Sequence, residues 1–163
     1  MGRIIYQERL FSKWITLLVS AVAFMLLWRL LEQLQLGSSG GGPVWLLALM
    51  LILFILIAIN FAWLTIRITD EEVVIAYGVI RHRIRWEQID DCYVDEASAM
   101  WHGGYGIRLG WYKGKRRLIY NTMGDPRVVL FTRNSSTPEF VFSTQNPQEV
   151  VDKVRAELKR TAR

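Results

Sequence analysis

Chemistry-bearing side chains are scarce in this sequence of 163 residues, which holds one cysteine, Cys92, and two histidines, His82 and His102. A single cysteine excludes an internal disulfide and is at ease in a reducing compartment. None of the zinc-binding spacings occurs. Cys92, Asp95, Glu96 and His102 can be drawn as a cluster, yet a lone cysteine among strand residues reads more simply as a small buried hydrophobe. The G-x-S-x-G elbow is missing, and the glycines at 103, 104, 106 and 110 are not followed by a helix opening with Lys-Ser or Lys-Thr, so neither phosphate-loop pattern is present. Asp90, Asp91, Asp95 and Glu96 could supply a carboxylate pair, but they read better as a solvated strand edge countering Arg81, Arg83 and Arg85. No catalytic residue, cofactor or metal site is expected.

Charge is also missing where its absence says most. From Val44 to Ile66 the chain runs 23 residues without Asp, Glu, Lys, Arg or His, the length a helix needs to cross a bilayer. Only Asn60 and Thr65 interrupt the run, so it has no polar face for a soluble amphipathic helix. A second span is read from Trp14 to Leu31, with Arg29 close enough to its end to reach headgroups and Trp14, Trp28 and Trp45 at interfacial positions. A cleaved signal peptide is the other reading of this stretch, given Arg3, Arg9 and Lys13 ahead of it. The start MGRIIY lacks the Ser or Thr of a myristoylation signal. The predicted organisation is a tail at 1–13, spans at 14–31 and 44–66, a Gly/Ser-rich loop at 32–43 and one domain at 67–163. Basic residues flank both spans on one side, and the loop between them has none, so both termini are expected in the cytoplasm of a multi-pass protein of the cell membrane.

The formal net charge of +5 suits an anionic leaflet and is too slight to argue for nucleic acid. After Ile66 the pattern changes to short alternating runs broken by turn residues. Val73 to Tyr77, Val79 to Trp86, Ile89 to Val94, Ile107 to Tyr112, Leu118 to Asn121, Val128 to Thr132 and Glu139 to Ser143 read as about seven strands, a density that predicts a sandwich or small barrel. Lys113-Gly114 is a hairpin turn in this reading. Asn146 as cap, Pro147 in the first helical position and Glu149 at the third open a C-terminal helix, with Val150, Val151, Val154 and Leu158 on its apolar stripe.

The junction from Leu64 to Thr69 followed by Asp70-Glu71-Glu72, the run Val74 to Gly78, the basic strand Ile80 to Trp86, the opening Glu87 to Asp91 and the helix after Asn146-Pro147 together resemble the bacterial and archaeal pleckstrin-homology-like domains that follow paired membrane spans. The resemblance covers about Thr65 to Lys159, and Ala97 to Gly124 is longer than the common pattern. It implies a seven-stranded bent sheet with a C-terminal helix, a tendency to assemble, and no enzymatic activity supplied by the fold. The expectation is therefore a two-helix transmembrane hairpin followed by a PH-like β-barrel or sandwich, acting as a non-enzymatic membrane-anchored module that binds a membrane protein partner or further copies of itself. The alternative is a sensor of anionic lipid headgroups, and a lipid-directed enzyme is a remote third reading. Two basic sets carry the lipid reading: Arg81, Arg83 and Arg85 on one strand face, and Lys113, Lys115, Arg116 and Arg117 at the hairpin turn. Trp101, Trp111 and Tyr112 are the candidate interfacial aromatics beside them, with the hairpin favoured for that reason.

Overall fold

The segment read as a tail is a strand. The computed structural model describes residues 2–36, 43–96, 106–133 and 136–161, and in it β1 (Ile4–Phe11) pairs antiparallel with β2 (Trp63–Thr69), from Ile4 opposite Thr69 to Phe11 opposite Trp63. Between these two strands lie the two apolar helices, α1 (Lys13–Leu36) and α2 (Val44–Phe61). The helical pair is thus inserted into a β-ribbon, with Ser12 and Ala62 as single-residue joints. Both helices are long and apolar enough to cross a membrane, and α2 buries no residue within the molecule.

The second apolar run divides at its end, because a period of two begins inside it. Leu64, Ile66 and Ile68 are fully buried on the inner face of β2, while Trp63, Thr65 and Arg67 alternate outward. The helix therefore stops at Phe61, at about 27 Å, and the residues 63–66 read as span belong to the sheet. Strands β3 (Glu72–Tyr77) and β4 (Ile80–Arg85) complete a four-stranded antiparallel sheet in the order β1-β2-β3-β4. A short 3₁₀ turn, Trp86–Gln88, leads to the second sheet, and the Trp86 indole donates to the Thr69 carbonyl at 3.1 Å.

The second sheet has five strands: β5 (Ile89–Val94), β6 (Gly106–Tyr112), β7 (Lys115–Asn121), β8 (Arg127–Thr132) and β9 (Glu139–Ser143), ordered β5-β8-β9-β7-β6. All seven expected strands are present, and β1 and β2 bring the number among the described residues to nine. The sheets do not close into a barrel. The β6–β7 hairpin joins the edge of β9 through a parallel β7–β9 pairing and widens the second sheet, leaving β4 and β6 as separate edges. The inner faces share one core, built from Leu64, Ile66, Ile75 and Tyr77 on one side and Tyr120, Val128, Leu130, Phe140 and Phe142 on the other. Helix α3 (Pro147–Thr161) covers the core at β5 and β8 with Val150, Val151 and Val154, the face expected from its sequence.

The helical pair is fixed to the sheet by polar contacts at its base. The Ser12 N–H donates to the Ala62 carbonyl at 2.8 Å, and the Ser12 hydroxyl donates to the Tyr77 hydroxyl, which donates in turn to the Asn121 carbonyl of the second sheet. Asn60, the polar interruption of the apolar run, accepts from the Val79 N–H at 2.9 Å and so ties the β3–β4 turn to α2. The turn thereby supplies a donor to the side-chain oxygen of Asn60, which its apolar neighbours on α2 cannot do.

Candidate functional site

The outer face of the four-stranded sheet gathers arginines that the sequence keeps far apart. Register places Arg9, Thr65, Ala76 and Arg81 in one row across the sheet, and Gln7, Arg67, Val74 and Arg83 in the next row away from the helices. Small floor residues between long basic walls leave a groove of about 710 Å³. Arg9, Arg81 and Arg83 are exposed, whereas Arg67 lies half-buried, its Nε without a hydrogen-bond acceptor among the described residues. The guanidinium of Arg9 sits 5.1 Å from the ring centre of Trp63, which packs on Phe11. The acids of this face are at the other end: Glu72 pairs with Arg83 at 3.7 Å, and it stands opposite Arg85 in the ladder. Of the residues singled out in the sequence, Arg81, Arg83 and Arg85 do share this face. Arg9 and Arg67 were missed; the signal for them was their place in alternating runs at either side of the apolar stretches.

The hairpin set divides. Arg117 is not a surface residue: it is 2% exposed and is paired with Glu139 and, at 3.1 Å, with Asp95, which also holds Arg127 at 3.1 Å. Alternation explains the reversal, since Arg117 shares its strand face with buried Ile119 and Asn121 while Arg116 points away. Lys115 reaches Glu139 at 3.6 Å, Arg116 stacks over Trp111 at 4.9 Å, and Lys113 lies over Tyr112 at 5.4 Å. The far end of this hairpin is the one near the helices: a side chain at Gly106 would meet Ile15 of α1, and Thr122 and Met123 line a small cleft with Trp14 and Leu18. The basic turn is therefore displaced from the helices by six residue pairs, about 20 Å along the ladder. Trp101 and His102 lie outside the described residues.

The acidic patch divides: Asp90, Asp91 and Glu96 are exposed as expected, the Asp95 side chain is buried, and the ion pairs of Asp90, Asp91 and Asp95 are not with Arg81, Arg83 or Arg85. Asp95 belongs to the buried ion network, Asp90 pairs with Arg133, and Asp91 accepts from the Cys92 N–H and faces Arg155 at 3.4 Å. Cys92 is fully buried, and burial pushes its thiol up to about 12, which leaves it a packing residue. Burial also lowers His82, which stacks on Phe140 at 4.8 Å with rings 7° from parallel. Among the described residues no group of three or more His, Cys, Asp or Glu is placed to hold a metal ion. Compared with protein-family models, with curated proteins and with solved structures, the chain has no match.

Proposed function

We propose that this protein is a non-enzymatic, membrane-anchored binding module whose two-sheet domain associates with further copies of itself or with a membrane protein partner. The observation that carries this reading is the insertion of the apolar helical pair between two paired strands. Two long apolar helices that bury almost no residue inside the molecule fit a lipid surrounding, and single-residue joints give the domain no tether on which to swing. A domain held this rigidly suits a fixed docking platform at one height above the bilayer, on the cytoplasmic side indicated by the flanking Arg3, Arg9, Lys13 and Arg67. The edge strand β6 offers a surface for association, with its own Leu109 and Trp111 exposed.

The PH-like reading gains support from the connectivity. With α1–α2 set aside as an insertion between β1 and β2, and β6–β7 as an insertion between β5 and β8, seven strands and a closing helix remain. Light scattering on the full chain in a neutral detergent tests the assembly reading. A discrete multiple of 19.0 kDa that holds over a tenfold dilution is expected. A monomer at every concentration that also retains no membrane protein on purification would contradict it.

A further inference from the structure

We infer that the helix-proximal half of the outer face of the four-stranded sheet binds the phosphate of anionic lipid headgroups, in the bilayer that holds α1 and α2. This rests on the membrane placement proposed above. The edge of the sheet next to the helices is apolar and exposed: Phe11 and Trp63 meet there, and across the sheet Val79 is 83% exposed. One row further along the strands stand Arg9 and Arg81, about 7 Å from that edge. The headgroup layer of a bilayer is itself roughly 5–7 Å deep on each side of the hydrocarbon. An apolar rim followed at this spacing by two arginines matches the order of acyl chain and phosphate along the bilayer normal.

The next row supplies Arg67, a half-buried guanidinium whose Nε has no acceptor among the described residues. A phosphate oxygen reaching the groove between Arg9 and Arg81 would lie over Thr65 and Ala76, side chains small enough to leave it room. Beyond that row the lining changes sign, with Glu71 and Glu72 closing the groove. Anion binding is thereby confined to the end nearest the helices. The basic turn of the β6–β7 hairpin is excluded by distance, since about 20 Å along the ladder exceeds the screening length of about 8 Å at physiological salt.

The test uses the full chain in a neutral detergent, with bound lipid counted by native mass spectrometry. Phosphatidylglycerol and phosphatidylcholine of the same acyl chains are compared, and inorganic phosphate is added as a competitor. Retention of phosphatidylglycerol over phosphatidylcholine is expected, with affinity falling about fivefold for each of Arg9→Gln and Arg81→Gln. Arg9→Lys with Arg81→Lys keeps the charge and most of the preference, which separates loss of binding from loss of fold. The site is overturned if the glutamine variants bind like the parent, or if Lys115→Gln with Arg116→Gln abolishes the preference instead. Displacement by millimolar inorganic phosphate would also overturn it, by assigning the groove to a soluble anion. A chain that stays out of lipid vesicles counts against the membrane placement, whereas insertion with no preference for phosphatidylglycerol counts against the site alone.

Discussion

At Gly78 the backbone is at φ +52°, and a Cβ there would lie 2.2 Å from the Asn60 Oδ1 and 2.6 Å from the Asn60 carbonyl oxygen. The side chain could rotate away, but the carbonyl cannot. Gly78→Ala is therefore expected to lower stability by at least about 1–3 kcal/mol, the usual cost of forcing a residue into such a backbone region. Urea unfolding in detergent, followed by tryptophan emission, reads this directly. His82 gives a second prediction at this scale. Burial holds its folded value below the ordinary 6.5, so the unfolded chain takes up the proton first as pH falls. Its contribution to stability is present above about pH 6.5 and is lost as the pH falls through the folded value. His82→Phe keeps the stack on Phe140 and is expected to flatten this acid limb, seen by comparing unfolding midpoints at pH 7.5 and pH 5.5. Residue identity alone made the basic face half legible: Arg81, Arg83 and Arg85 declare themselves by alternation, but nothing local joins Arg9 to Arg67 across an insertion of two helices. Arg117 misleads for the complementary reason, since its carboxylate partners lie 22 residues away on either side.

Strands and helices differ in how openly the sequence displays them. The seven strands after Asp70 and helix α3 are legible because polar and apolar residues alternate at their own period between clear turns. Strand β2 is hidden because its alternation starts inside a run already apolar for another reason, and β1 because Arg3, Arg9 and Glu8 look like a solvated tail. Glu8 is in fact drawn inward, accepting from the Thr144 hydroxyl at 2.5 Å and the Gln145 N–H at 2.8 Å just ahead of α3. Two contacts between elements can be tested by substitution. Tyr77→Phe removes the link from Ser12 to the Asn121 carbonyl and leaves both without this buried partner, at an expected cost of about 1–3 kcal/mol. Glu139→Gln strips a carboxylate from the buried network around Arg117 and should destabilise by about 3–5 kcal/mol, because the guanidinium stays buried with less compensation. Arg116→Gln on the outward side of the same strand serves as the control and should change little.

For the whole molecule, the consequence of the inserted helices is that the domain cannot be cut free at the end of α2. A fragment beginning at Thr69 lacks β1 and nearly all of β2, half of one sheet, and is expected to aggregate. Replacing Lys13–Phe61 by a short turn between Ser12 and Ala62 preserves the β1–β2 register and should give a soluble, cooperatively unfolding domain. On the proposed membrane placement, the same continuity sets which edge of the domain faces lipid, and spin labels introduced one at a time into the full chain in phosphatidylglycerol vesicles measure it. Cys92 is buried and does not compete for the reagent. The proposed placement puts a label at Val79→Cys in the interface, accessible to oxygen and shielded from an aqueous nickel chelate, and a label at Lys113→Cys in open water. Both labels freely exposed to the chelate, or the label at position 113 in the interface with position 79 in water, would contradict it.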